Sequence, residues 1–423
     1  MQATIYKSNN NSKLKYFILT IFWFLYLFRP PIPHIHIIYM LDIVCVIVVL
    51  YNILFGKLLK RINISLIKCF FGFIPFLLYS YINIIINFIL DSSNSVFISS
   101  LHFISSIVFH LFLSILFLLS CFSDKEICDG KYLIPLLGSG LIQFILVLIS
   151  YWFEPIHSIF LMLMAKYSGL DVFKGASRAY GYADNLFDIL GYRISLLAII
   201  SFVLGIDKQK IKYYLYLLSF IFITFLDSRT GVLLFIVCAI VSSLMYFPHF
   251  SLNKRIKYLC LFIFLSIFFI FSYFLLPEKT QIWINNGFIS THVLISEQRL
   301  TGVYGEILGN DFIFPNNIWF GDGGLPRFFN IYGIDSGYIN ELWLFGSIGL
   351  MLYFFGFIFF AMFLLKKIRL KADQCLVLSF VIIYILYTFK TLPLQIPGAN
   401  TIIFGFPVLF LVKEKELFYQ NNQ

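Results

Sequence analysis

Residues 96–121 read VFISSLHFISSIVFHLFLSILFLLSC, a run with no Asp, Glu, Lys or Arg. It exceeds the roughly 20 residues that carry an α-helix across a bilayer. Its apolar character is continuous, whereas a strand of a membrane barrel alternates. Outward from this run the pattern repeats. Hydrophobic residues make up 60% of the chain, aromatics 20% and charged residues 12%, against roughly 25% charged in soluble domains. The fold class that follows is an all-α polytopic membrane protein. The apolar stretches predict twelve spans, at 15–33, 35–56, 69–90, 96–121, 132–151, 187–205, 211–227, 231–247, 257–276, 338–363, 374–391 and 399–412. Arg29-Pro30-Pro31 cuts the first of them short. The polar, basic start at residues 1–15 is followed by no small-residue cleavage site, so it reads as an uncleaved anchor.

Lys and Arg in the short loops set the orientation. With the N-terminus inside, Lys57/Lys60/Arg61/Lys68, Lys125/Lys131, Lys208/Lys210/Lys212, Lys254/Arg255/Lys257, Lys366/Lys367/Arg369/Lys371 and both ends of the chain are cytoplasmic, with 21 of the 31 basic residues. The short external turn at 91–95 (DSSNS) carries none. Both termini are thus expected inside. Residues 1–276 would hold spans one to nine with a first external loop at 152–187. Residues 277–337 would form a large external loop, and 338–423 the last three spans and a cytoplasmic tail. The net charge of +10 then needs no nucleic-acid partner, since orientation on an anionic inner leaflet accounts for it. The seven cysteines fall in spans or on the inner side, so no disulfide framework is implied.

Inside, 3 of 21 basic residues are Arg; outside, 6 of 10 are, namely Arg29, Arg178, Arg193, Arg229, Arg299 and Arg327. Lys suffices for orientation, whereas the planar fork of Arg suits a bidentate grip on phosphate or carboxylate. Arg193 lies in the first turns of the sixth span, where it reads either as lining a polar cavity or as snorkelling to the head groups. Asp227-Ser228-Arg229-Thr230-Gly231 joins the seventh and eighth spans. Ser228 or Asp227 would cap the eighth helix, leaving its first N–H groups beside Arg229 as a receptor for phosphate or pyrophosphate. Residues 156–168 are apolar but too short to cross, and are expected at the interface or re-entrant. His34 and His36 lack a third metal ligand and read as polar turn residues. His102 and His110, eight residues apart in one span, read as interhelical hydrogen-bonding groups. Gly138-Ser139-Gly140 reads as a close-packing site.

Against this background, residues 277–341 stand apart: PEKTQIWINNGFISTHVLISEQRLTGVYGEILGNDFIFPNNIWFGDGGLPRFFNIYGIDSGYINE. They hold Arg299, Arg327, Asp322, Asp335, Glu341 and a run of glycines, and are expected to cover and shape a groove on the outer face. No D-x-D occurs in the outer loops, so metal-dependent binding of a nucleotide sugar is not indicated.

Four segments carry a resemblance. They are Arg178-Ala-Tyr-Gly181 with Asn185, Ser228-Arg229-Thr230-Gly231, Phe320-Gly-Asp-Gly-Gly324, and Asp335-Ser-Gly-Tyr338 leading into Leu344-Phe-Gly346-Ser-Ile-Gly349. In this order, and with a dominant external loop before the last three spans, the chain resembles the O-antigen polymerase (Wzy) family. That family lies within the wider group of O-antigen ligases and related bacterial membrane glycosyltransferases. The resemblance implies a fold like the lipid-dependent (GT-C type) enzymes, in the bacterial inner membrane with the active site facing the periplasm. The implied reaction joins O-antigen repeat units carried on undecaprenyl pyrophosphate by moving the growing glycan onto an incoming lipid-linked unit. The implied partners are those lipid-linked oligosaccharides, the bilayer, and a chain-length regulator of the same pathway; no cofactor or metal is implied. Under this reading Arg178 and Arg229, with Arg299 or Arg327, bind the pyrophosphate, and Asp335 or Glu341 is the base. Arg193, Asn185, Asp322 and Tyr338 are possible cavity residues. Helix capping and dipole stabilisation are the plainer reading of Asp335 and Glu341. Trp283, Trp319, Tyr304, Tyr332 and Tyr338 read as sugar-stacking or interface residues, and Gly346 and Gly349 as close-packing positions. The ligases carry a His where this chain has Asp335, which favours polymerase. A flippase or other transporter, the alternative from another class, tends to show two related halves with polar groups at mid-membrane depth.

Overall fold

The computed structural model describes residues 2–33, 35, 37–56, 58–62, 64–91, 94–168, 181–183, 188–249, 251–274, 278, 281–282, 314–329, 336–389, 392–393 and 396–421. Among them the chain is helical and forms no β-strand. In chain order the helices are α1 (Gln2–Phe28), α2 (Ile37–Leu54), α3 (Ile64–Lys68), α4 (Ile74–Asp91), α5 (Asn94–Cys121), α6 (Asp124–Cys128), α7 (Leu133–Trp152), α8 (Glu154–Ser168) and α9 (Asp188–Lys208). They continue as α10 (Ile211–Asp227), α11 (Arg229–Tyr246), α12 (Leu252–Phe274), α13 (Gly337–Lys367), α14 (Lys371–Thr388), α15 (Pro397–Asn400) and α16 (Phe406–Asn421). A 3-10 turn at Phe71–Phe73 leads into α4, and a π-helical turn at Thr401–Gly405 joins α15 to α16.

Helices occupy every one of the twelve apolar stretches, because lipid offers backbone groups no partner and a helix satisfies them locally. Seven, among the described residues, are long and apolar enough to cross a membrane: Ile37–Leu54, Ile64–Leu90, Ser95–Cys121, Leu133–Trp152, Ile189–Lys208, Gly337–Lys367 and Lys371–Thr388. The chain is therefore a helical membrane protein. α1 stops at Phe28, where Arg29 takes φ +50° ahead of Pro30, since a residue before proline avoids the helical region. The apolar stretch at 156–168 forms α8, which starts after the extended Phe153 and packs back on α7.

The chain forms two compact units that are not consecutive halves: residues 1–41 with 130–292, and residues 42–129 with 293–423. The division falls inside α2. In the first unit α1 packs on α7, α7 on α10, and α9 on α10 and α11. Lipid tails are as apolar as leucine, so close packing rather than burial from water holds such helices. Gly138 faces Thr20 of α1, and Gly140 faces Leu197 and Phe220; a methyl at Gly140 would lie 2.5 Å from the Phe220 ring. α9 is the hub: 94% of its span is buried inside the structure, against 28% for Ile37–Leu54.

In the second unit α13 packs on α4, α14 and the Phe71–Phe73 turn. Their contact is an aromatic cluster in which Phe357 lies 4.4 Å from Tyr384, 5.1 Å from Tyr353 and 5.3 Å from both Phe73 and Phe404. One end of this unit is tied by polar groups. Arg61 donates to Asp124 and to the Leu119 carbonyl, neutralising the C-terminal end of α5. Lys413 pairs with Asp373 at 2.8 Å, and Glu414 accepts the Arg369 and Leu370 N–H groups at 2.9 Å.

Candidate functional site

Glu341 lies in the first turns of α13 and is 0% exposed. Neither of its carboxylate oxygens meets a hydrogen-bond partner among the described residues. A carboxyl group withdrawn from water without compensation is costly. It does not cap the helix: the N-cap is Ser336, which makes no side-chain capping bond. The capping reading of Glu341 therefore fails on geometry.

One turn further on, α13 is broken. Gly346 has φ +66° and ψ −179°, a conformation that L side chains rarely adopt. Gly346 was expected to let helices pack closely; instead it interrupts its own helix. A break in a membrane helix frees backbone groups that lipid cannot satisfy, and here distant groups take them. The carbonyl of Trp343 accepts the Asp322 N–H at 2.8 Å, that of Leu344 accepts the Asn83 amide at 3.3 Å, and that of Phe345 accepts the Tyr79 hydroxyl at 2.9 Å. Beyond the break, the Ser347 N–H donates to Ile318 and the Ile348 N–H to Trp319, at 2.8 and 3.2 Å.

Residues 314–329 are thus a segment seated in the break. Gly321, at φ +71°, meets Gly346 backbone to backbone: a methyl on Gly346 would lie 2.3 Å from the Trp319 carbonyl oxygen. Gly323, at φ +72°, rests against Asn87, and Gly324 against Val96. Asn83 clamps both strands of the junction, donating to Phe320 as well as to Leu344. The Asp322 carboxylate accepts from the backbone N–H groups of Asn316 and Asn317 at 3.0 and 3.1 Å. It closes a local turn. Arg327 is exposed and its guanidinium lies over the Phe328 ring at 5.4 Å. The Tyr338 hydroxyl donates to the Ile385 carbonyl at 2.9 Å, and its ring meets Phe389 edge to face. Trp319 is 64% exposed.

The first unit holds the other set. Gly181, at φ +98°, is pressed onto α7: its N–H donates to the buried Ser150 hydroxyl at 2.9 Å. With its amide oriented to suit, buried Gln143 accepts the Tyr182 N–H at 3.2 Å and donates to the Tyr182 carbonyl at 3.3 Å. The Tyr182 hydroxyl donates to the Pro31 carbonyl and its ring stacks on Phe160 of α8. This anchors the end of the Arg178-Ala-Tyr-Gly181 motif. At the α10–α11 hairpin, the N-cap of α11 is Ser228, whose hydroxyl accepts the Gly231 N–H at 3.1 Å. Gly191 gives the room: a methyl there would lie 2.2 Å from Ser228. Arg193 does not snorkel to a surface. It is 1% exposed, with a guanidinium N–H aimed at the Phe28 carbonyl, 3.4 Å away at the C-terminal end of α1.

Arg178, Asn185, Arg299 and Asp335 lie outside the described residues, as do Trp283, Tyr304, Tyr332, His34 and His36, and the side chain of Arg229. Asp322, bonded through its N–H to Trp343, and Tyr338 belong with Glu341 to the second unit, while Arg193 and the Ser228 cap belong to the first. Sequence reasoning missed Tyr79, Asn83 and Asp42. The last pairs with His110 at 3.2 Å, giving that histidine the interhelical role expected of it, whereas His102 is exposed. Asp42 and Asn83 had a signal, since a polar residue within an apolar run asks for a partner. Compared with known proteins, the chain matches no family model and no curated sequence.

Proposed function

We propose that the chain is a membrane glycosyltransferase of the O-antigen polymerase kind. It acts at the periplasmic face of the inner membrane, with twelve spans, both termini inside and a GT-C-like arrangement. It extends undecaprenyl-pyrophosphate-linked glycan by whole repeat units. The observation that carries this reading is Glu341, buried with no hydrogen-bond partner among the described residues and held on a half-helix whose end is fastened by the Phe320-Gly-Asp-Gly-Gly324 motif. The motif that suggests the family and the acid that suits the chemistry meet at one helix break.

In the proposed reaction the acceptor hydroxyl oxygen attacks the anomeric carbon of the growing chain. The bond from that carbon to the pyrophosphate oxygen breaks, and undecaprenyl pyrophosphate leaves with the electron pair. Its developing charge calls for fixed cations, the role proposed for Arg178 and Arg229 with Arg299 or Arg327. The hydroxyl proton passes to a carboxylate, the role proposed for Glu341 or Asp335. The partners are lipid-linked repeat units and a chain-length regulator of the same pathway.

Deletion of the gene tests the reading on one gel of surface glycan. A polymerase mutant displays single repeat units on lipid A core. Loss of all glycan from the core, with lipid-linked polymer accumulating, would mark a ligase instead; lipid-linked single units left facing the cytoplasm would mark a flippase.

A further inference from the structure

Residues 314–320, in the segment seated in the α13 break, read FPNNIWF and turn an apolar face outward. Phe314, Ile318 and Phe320 are half-exposed, and Trp319 more so. A loop facing water leaves backbone groups for water to satisfy, yet here the protein satisfies them. The N–H groups of Asn316 and Asn317 go to the Asp322 carboxylate, those of Trp319 and Phe320 to the Asn317 side-chain oxygen, and that of Gly321 to the Asn317 carbonyl. The Ile318 carbonyl accepts both the Ser347 N–H and the Ser347 hydroxyl, at 2.8 and 2.9 Å. The carbonyls of Trp319 and Phe320 are taken by the Ile348 N–H and the Asn83 amide. Even the Asn316 amide turns back to Asp322, at 3.3 Å. Apolar side chains outside and a backbone closed on the protein suit a solvent that offers no hydrogen bonds.

We propose that this stretch is a membrane anchor, with Phe314, Ile318, Trp319 and Phe320 inserted into the bilayer interface; the proposal stands apart from the glycosyltransferase reading. Residues 277–337 were expected as a loop outside the membrane, and the depth of this stretch argues otherwise. α13 runs antiparallel to α4, since Gly72 faces Phe359 while Asn83 meets Leu344. The start of α13 and the end of α4 therefore share one membrane face. The 31 residues of α13 extend about 46 Å at about 1.5 Å per residue, close to the roughly 40–45 Å of a bilayer with its head groups. Gly346, against which Gly321 rests, lies nine residues inside α13, roughly 14 Å from its start. Asn83, which holds the Phe320 carbonyl, lies eight residues before the end of α4, roughly 12 Å in. Head groups occupy about 5–8 Å on each side, so both measures set the junction at the top of the hydrocarbon. Trp collects near that boundary. A sugar ring on Trp319 is the competing occupant, but a glycan needs polar groups beside the ring. The Asn317 oxygen and the Asp322 carboxylate are already engaged by N–H groups of the segment itself.

The test uses the purified full chain in phosphatidylcholine nanodiscs and reads tryptophan fluorescence. The emission of Trp319 is the difference between the chain and its Trp319→Phe variant. Phosphatidylcholine brominated near the top of its acyl chains should quench that difference roughly twofold or more, as expected of a ring at the boundary, while iodide in the water leaves it unchanged. Iodide quenching of the Trp319 emission without quenching by the brominated lipid overturns the proposal and leaves the aromatic face to water or to sugar. Should Trp319→Phe fail to fold, Ile318→Trp adds a fluorophore on the same face, and its added emission must show the same preference for the brominated lipid. Neither measurement needs a glycan assay. A chain quenched from lipid that makes no polymer sinks only the functional reading, and a polymerase quenched only from water sinks only the anchor.

Discussion

α9 and α13 each bury an ionisable residue near the helix start, and they treat it in opposite ways. Arg193 of α9 sits in a helix enclosed by protein, with the Phe28 carbonyl at the end of α1 to receive it. Glu341 of α13 is as deeply buried, but no described group accepts or donates to it. The backbones differ in the reverse sense. α9 is continuous, whereas α13 is broken one turn after its acid and mended by side chains from α4 and a distant segment. A charge with a partner is explained by the fold. A buried acid with no partner among the described residues, on a half-helix fixed with such care, is the one the fold does not account for.

The largest expected effect falls on the mended break. Gly346→Val adds bulk at φ +66° where even a methyl would lie 2.3 Å from a carbonyl oxygen. It should cost more than about 4 kcal/mol and abolish monodisperse protein in detergent; a variant with unchanged thermal unfolding would mean that the break is not needed. Next comes the acid. Glu341→Gln should eliminate long-chain glycan while leaving thermal stability within about 1 kcal/mol, since no described hydrogen bond is lost. Arg178→Ala and Arg229→Ala should likewise abolish polymer with the protein still in the membrane, and normal long-chain product from these variants removes the site assignment. Arg193→Met should do the converse, lowering stability by about 1–3 kcal/mol and polymer only in proportion to folded protein, as read by quantitative immunoblot beside the glycan gel. Loss of polymer from well-folded Arg193→Met would erase the contrast between the two helices. The smallest effect is at the hairpin cap, where Ser228→Ala should cost about 1 kcal/mol in the same unfolding assay.

The hydrogen bonds of a helix are local, so composition alone located the helical stretches, and the proline pair after Arg29 marked where α1 ends. Ser228 was legible as a cap for the same reason, as it acts on an N–H three residues away. The polar segment before the last three apolar stretches was visible, but not what it does. Asp322 read as a possible cavity residue, and its carboxylate closes a turn at Asn316 and Asn317. Arg193 read as lining a polar cavity or as snorkelling; the structure buries it with its guanidinium aimed at the Phe28 carbonyl, far off in the chain.

What the sequence determined by itself is therefore the class of molecule: a helical membrane protein whose charges are few and grouped. The tertiary structure alone decided that Gly346 is a break, that Gly321 sits in it, and that Asn83 and Tyr79 hold its loose ends. The physical reason is distance along the chain. Those bonds join residues 237 and 266 positions apart, and no local pattern announces a partner that only folding brings near.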